Sequence, residues 1–192
     1  MVETHISLSV NRLLNEDTYA IPLYQRNFAW TYDEIEQLLN DVADAFQENR
    51  DNYYIGTLVV NKENDLFKII DGQQRTTALN LIALALKYEF DFDRLKAVNL
   101  TFPARKKSNE NIQKLFTKQE ISEGDENELT RGYRYAKDAL KKVLEEHRLD
   151  PQSFVDYLYG KSNEVSMRHI NEMKMEDGNM FELIFKKILL TI

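Results

Sequence analysis

Residues 70–76 read Ile70-Asp71-Gly72-Gln73-Gln74-Arg75-Thr76. They stand between an apolar strand-like run, Leu66-Phe67-Lys68-Ile69-Ile70, and an apolar helix-like run that reaches about Lys87. A strand, a tight Asp-Gly turn and a helix start in direct succession make a ready anion site. Backbone N–H groups and the helix dipole both point at what lands there. The spacing predicts Asp71 as the helix cap and Gly72 as the place where backbone comes close to a ligand. Arg75, one turn in, adds a forked guanidinium suited to phosphate. The helix itself carries Ala78, Leu79, Leu81, Ile82, Ala83, Leu84, Ala85 and Leu86, apolar nearly all round. Such a helix is buried on most faces, so the anion-site helix is expected to be the central core helix.

Upstream, Tyr53-Tyr54-Ile55-Gly56-Thr57-Leu58-Val59-Val60 is rich in strand formers, and Asn61–Asp65 is a polar turn, so residues 53–70 read as a hairpin. Thr31-Tyr32-Asp33-Glu34 is a capping box, and Ile35, Leu38, Leu39, Val42 and Phe46 follow at helical spacing. This predicts a helix over about 32–48. Residues 5–14 read as a short strand and a helical turn. Pro22 keeps Tyr19–Tyr24 extended.

From about residue 109 the chain becomes helical and polar, with Leu129, Tyr133, Ala136, Leu140 and Leu144 on one stripe. Asp150-Pro151 opens a short helix that Gly160 closes. The expected class is α+β: a small mixed-sheet core with a buried central helix over 1–105, then a helical extension over 106–192. The last residues, Phe185–Ile192, form an apolar run without a polar tail, as expected of a chain truncated relative to a longer protein.

The 192 residues suffice for one good core. A net charge of −7 disfavours generic nucleic-acid coating, and Arg105-Lys106-Lys107 is the one clear basic run. There is no Cys, which removes thiol nucleophiles, disulfides and thiolate metal sites. No signal peptide and no apolar span of transmembrane length occur, and the expected location is cytoplasmic. His5, His147 and His169 lack metal or triad spacing. The G-x-x-x-x-G-K-[ST], H-E-x-x-H and G-x-S-x-G patterns are all missing.

Two constellations remain. One is Asp71–Thr76. From spacing alone it is equally an ordinary Asp-Gly turn with a solvated arginine, although two consecutive glutamines before Arg75 are not needed for capping. The other is Ile21-Pro22-Leu23-Tyr24-Gln25-Arg26-Asn27-Phe28-Ala29-Trp30. Here Arg26 is a second phosphate clamp and an aromatic ring is available to stack on a base. The bland reading is that Tyr24, Phe28 and Trp30 staple the start of the following helix.

Together, Ile21–Arg26 with Trp30, Tyr54–Val60 and Ile70–Leu79 resemble the DUF262 family, the N-terminal domain of GmrSD-type restriction systems that attack modified phage DNA. The three motifs occur in the family's order and cover residues 5–90. The resemblance implies a ParB/sulfiredoxin-like core. It also implies that the Asp-Gly-Gln-Gln-Arg turn binds, and in relatives hydrolyses, a nucleoside triphosphate with a divalent metal, a step that regulates a nuclease. Carried over, the nucleotide-site residues are Gln25, Arg26, Asp71, Gly72, Gln73, Gln74, Arg75 and Thr76. Asp71 and Arg75 take the catalytic roles, with Asp71 as the Mg²⁺ ligand. The implied partners are a nucleoside triphosphate, a nuclease domain or subunit and, through the full-length protein, DNA. Many relatives carry Phe-Glu-x-x-Asn-x-x-Gly after the helical part; here Phe181-Glu182-Leu183-Ile184-Phe185-Lys186 lacks the Asn. The family's His-based nuclease motif is not in this sequence, so no nuclease activity is expected of it alone. The rival reading is a DNA-sensing module using Gln25, Arg26, Arg75 and Arg105–Lys107, or a partner-binding scaffold. NTPase activity in this chain is left open.

Overall fold

The computed structural model describes residues 4–160 and 185–191. Its order is β1 (Thr4–Ser9), α1 (Val10–Asn15), β2 (Thr18–Ala20), α2 (Tyr32–Gln47), β3 (Tyr54–Glu63), β4 (Leu66–Asp71), α3 (Gln73–Glu89), β5 (Leu100–Thr101), α4 (Lys106–Phe116), α5 (Glu128–Glu146), α6 (Pro151–Tyr159) and β6 (Phe185–Thr191). The strands form one mixed sheet in the order β1-β6-β3-β4-β2-β5. β3 runs antiparallel to both β4 and β6, whereas β1 with β6 and β2 with β4 and β5 are parallel. The α+β class holds.

Local chemistry accounts for most elements. Glu34 accepts from the Thr31 N–H at 2.7 Å and from its hydroxyl at 2.6 Å, and this fixes the start of α2. Asp150 accepts from the Ser153 N–H at 2.8 Å ahead of Pro151, and Gly160 ends α6. The hairpin is tighter than the polar composition of Asn61–Asp65 suggests. β3 continues to Glu63 and β4 resumes at Leu66, with Asn64 taking a φ of 55°. Asparagine tolerates that left-handed backbone better than most residues.

α3 is the central helix. Thirteen of its 17 residues are buried, so it has no solvent face. One hydrophobic cluster joins Leu58, Val60 and Ile69 of the hairpin to Leu79 and Ile82 of α3 and to Ala136, Leu140 and Val143 of α5. The stretch expected to be helical to its end instead closes with β6, hydrogen-bonded between β1 and β3. The inner edge of β3 would otherwise carry unpaired N–H and C=O groups. No described helix is long and apolar enough to cross a membrane.

Candidate functional site

The turn is built differently from the expected Asp71 cap. Gly72 is the N-cap of α3, in the left-handed region at φ 92° and ψ 5°, and no side chain caps the helix. A Cβ at this position would lie 2.8 Å from the carbonyl oxygen of Thr57 and 3.2 Å from the Cα of Leu58. The chain thus leaves β4 against the backbone of β3, a course open only to glycine. Asp71 stays at the end of β4 with its side chain exposed. The Thr76 N–H is the first to bond back, to the Gly72 carbonyl at 3.0 Å, and the Thr76 hydroxyl donates to the same oxygen at 3.1 Å. The N–H groups of Gln73, Gln74 and Arg75 precede that bond and have no carbonyl of their own helix to reach.

Side-chain amides join the two constellations. Gln25 Nε2 donates to the Ile70 carbonyl at 2.7 Å. Gln74 Oε1 accepts from the Ala29 N–H at 2.8 Å, and its Nε2 donates to the Asn27 carbonyl at 3.1 Å. Arg105 secures the other end of the segment. Its Nη2 donates to the carbonyls of Pro22 at 3.3 Å and Leu23 at 3.4 Å, and also to that of Gln25. Of the eight candidates, then, Gln25, Gly72, Gln74 and Thr76 have groups committed to building the site. Arg26, Asp71, Gln73 and Arg75 keep theirs unspent. Among the described residues no ion pair or side-chain hydrogen bond engages Arg26, Arg75 or Asp71. Gln73, though only 7% exposed, also has an unbonded amide.

Two contributors were not singled out from the sequence. Gly56, at φ 151° beside a register shift in β3, is the seat of Arg75: a Cβ there would meet the guanidinium Cζ and Nε at 2.9 Å. The only sequence signal was a glycine inside a run of strand formers, which marks a bulge or a close approach. Arg105 stood in the basic run of the rival reading. Arg105 holds backbone carbonyls, while Lys107 donates to the Gly124 carbonyl at 2.9 Å. Replacing Arg105 by Ala leaves those carbonyls without their charged donor and is expected to cost about 1–3 kcal/mol. Thermal unfolding checks the loss, and faster amide exchange of Gln25, whose N–H bonds to the Pro22 carbonyl, checks its location.

The field of the unpaired cations reaches neighbouring groups. The Tyr53 hydroxyl donates to Asp41 at 3.2 Å; burial and then Asp41 push its pKa up, while Arg50 and, to a lesser degree, Arg75 pull the other way. Glu34 is held below the usual carboxylate range, first by its hydrogen bonds from Thr31 and to a lesser degree by Arg26.

The family model described as GmrSD restriction endonuclease, N-terminal domain, matches residues 10–188. The chain belongs to this family. A search of curated proteins returned no match. GmrSD membership assigns the chain a role in a restriction system and implies a partner nuclease domain. The match runs through the helical part as well as the motifs, in line with the continuous core. Of the Phe-Glu-x-x-Asn-x-x-Gly comparison, Phe181–Ile184 lie outside the described residues.

Asp71 is the one carboxylate in the turn, and among the described residues no group of three His, Cys, Asp or Glu could hold a metal. Mg²⁺ keeps several waters and is usually held by one or two carboxylates together with substrate phosphates. An exposed, unpaired Asp71 fits a phosphate-borne Mg²⁺ and not an all-protein cage.

Proposed function

We propose that this GmrSD N-terminal domain binds a nucleoside triphosphate at the start of α3 and passes its occupancy to the nuclease partner of a cytoplasmic restriction system, with hydrolysis as an extension of the same site. The observation that carries this reading is the Arg75 guanidinium, seated against Gly56 at the start of α3 and, among the described residues, engaged by no ion pair or side-chain hydrogen bond. An unpaired arginine seated on a glycine is a poor stability device and a good anion receptor.

The phosphates would lie on the N–H groups of residues 73–75, with Arg75 half-buried over Gly56 and Arg26 reaching from the solvent side. Asp71 would hold the Mg²⁺ that accompanies the triphosphate and neutralises part of its charge. Hydrolysis would form a bond from a water oxygen to the terminal phosphorus and break the bridging P–O bond, giving nucleoside diphosphate and inorganic phosphate, with the water's proton passing to a phosphate oxygen or solvent. Arg26 and Arg75 supply charge neutralisation as negative charge spreads over the departing oxygens. Gln25 and Gln74 act as positioning residues, because they hold the Arg26 segment against the turn.

The test is thermal unfolding with ATP, GTP, CTP or UTP plus Mg²⁺. At about 100 times Kd a ligand adds roughly 2.7 kcal/mol of stability, which raises Tm by about 5–10 °C in a protein of this size. The expected result is a rise that Arg75→Ala abolishes. Equal rises in wild type and Arg75→Ala, or no rise with any of the four, would overturn the proposal.

A further inference from the structure

We propose that the exposed ring of Tyr24 is the platform on which the nucleobase of the bound nucleotide stacks. The inference rests on the nucleotide reading above and names the part of the site that meets the base.

Among the described residues the exposed large hydrophobic side chains are Leu23 at 64%, Tyr24 at 74% and Tyr54 at 49%. They lie on the two segments fastened to β4 and its turn, through Gln25 and through the pairing of β3 with β4. Leu23 and Tyr24 precede Gln25, whose side chain is fastened to the Ile70 carbonyl at 2.7 Å. Arg105 pins the carbonyls on either side of Tyr24. Tyr54 stands just ahead of Gly56, and its hydroxyl lies 2.5 Å from Thr57 Oγ1. The carbonyl of that same Thr57 abuts Gly72.

The ring of Tyr24 is therefore carried on a fixed backbone and stays 74% exposed among the described residues. The ring and cation contacts among the described residues involve other aromatics, such as Tyr19 with Phe67. A fixed, uncovered aromatic face stacks at little entropic cost, because its backbone is already ordered. Its neighbours decide what it stacks on. Arg26 follows two residues later, in no ion pair among the described residues. At the first position of α3, Gln73 holds an unbonded amide at 7% exposure. A ligand meeting all of these carries negative charge at one end and a flat apolar face at the other. Free phosphate lacks the face. A nucleotide has both.

Stacking accepts every base, because each has a π face. The platform thus predicts broad base tolerance, with purines bound more tightly than pyrimidines through their larger face.

The experiment is isothermal titration of the protein and of Tyr24→Ala, Tyr24→Phe and Arg75→Ala with MgATP, MgCTP and magnesium tripolyphosphate. Tyr24→Ala is expected to weaken MgATP about 10-fold, in line with the usual worth of one base–aromatic stack. It should weaken MgCTP less and leave tripolyphosphate unchanged. Tyr24→Phe should bind as wild type, and Arg75→Ala should lose all three. Wild type binding none of the three ligands would remove the nucleotide reading and this inference together. Wild-type MgATP affinity in Tyr24→Ala would overturn the platform alone. Equal weakening of tripolyphosphate and MgATP would assign Tyr24 to the phosphates. Loss of binding to a duplex oligonucleotide with MgATP affinity intact would assign the ring to DNA. Either of these last outcomes overturns the proposal.

Discussion

Gly72→Ala is expected to lower stability by about 2–4 kcal/mol and to remove any response to a triphosphate. Two costs add. An L-residue at φ 92° pays roughly 1–2 kcal/mol for the left-handed conformation. The new Cβ also lies 2.8 Å from a backbone oxygen of β3, which cannot rotate away as a side chain would. Relief requires α3 to lift from the hairpin, and α3 is buried along most of its length. The midpoint of thermal unfolding should fall by roughly 5–15 °C. Gly56→Ala is the control for position. Its φ of 151° strains any L-residue as well, but the three atoms nearest its Cβ belong to the Arg75 guanidinium, so the steric displacement falls on the cation. A Gly72→Ala variant with wild-type Tm and wild-type nucleotide response would show that α3 does not start as described.

Gly132→Val is expected to cost about 1–3 kcal/mol, from overpacking. Gly132 lies buried in α5, where a glycine is otherwise unfavourable by about 1 kcal/mol against Ala. Its place there is explained by what faces it. A Cβ would come within 2.5 Å of the Phe28 ring and 2.7 Å of Leu81, both core side chains. Phe28 belongs to the segment that Gln74 holds through Asn27 and Ala29. Pushing the ring outward therefore strains the site as well as the core. A lower Tm in a single transition, with a weaker nucleotide response, is the expected outcome. Two separate transitions would mean that α5 folds apart from the α/β core, against the continuous cluster. An unchanged Tm would mean that α5 does not approach Phe28 this closely.

Where pattern and chemistry agreed locally, the fold was legible in the chain. Thr31 and Glu34 announced α2, Asp150-Pro151 announced α6, and the apolar circumference of Ala78–Leu86 announced a central helix; each depends on neighbours within a turn or two. The Asp71 cap was read from the same local rules and proved wrong. The competing constraint was the backbone of β3 pressing on Gly72, fifteen residues away from Thr57 in the chain. Gly56, quoted only within a motif, and Arg105, read only as part of a basic run, were missed in these roles for the same reason: the roles exist only once Arg75 and the carbonyls of Pro22–Gln25 have been brought to them.

By itself the sequence determined the α+β class, the helix that forms the centre and the family the chain belongs to. Periodicity, capping and turn chemistry act over short distances and leave their mark in residue order. Only the tertiary structure decided which side chains of those motifs remain free. Gln25 and Gln74 read as ligand donors in the chain and serve as clamps in the fold. Arg105 read as surface charge and serves as a staple, while Arg26 and Arg75 keep their charge unspent. Hydrogen-bond partners 45 to 83 residues apart make that division. No spacing rule reaches that far, because the partners meet only after the core has packed.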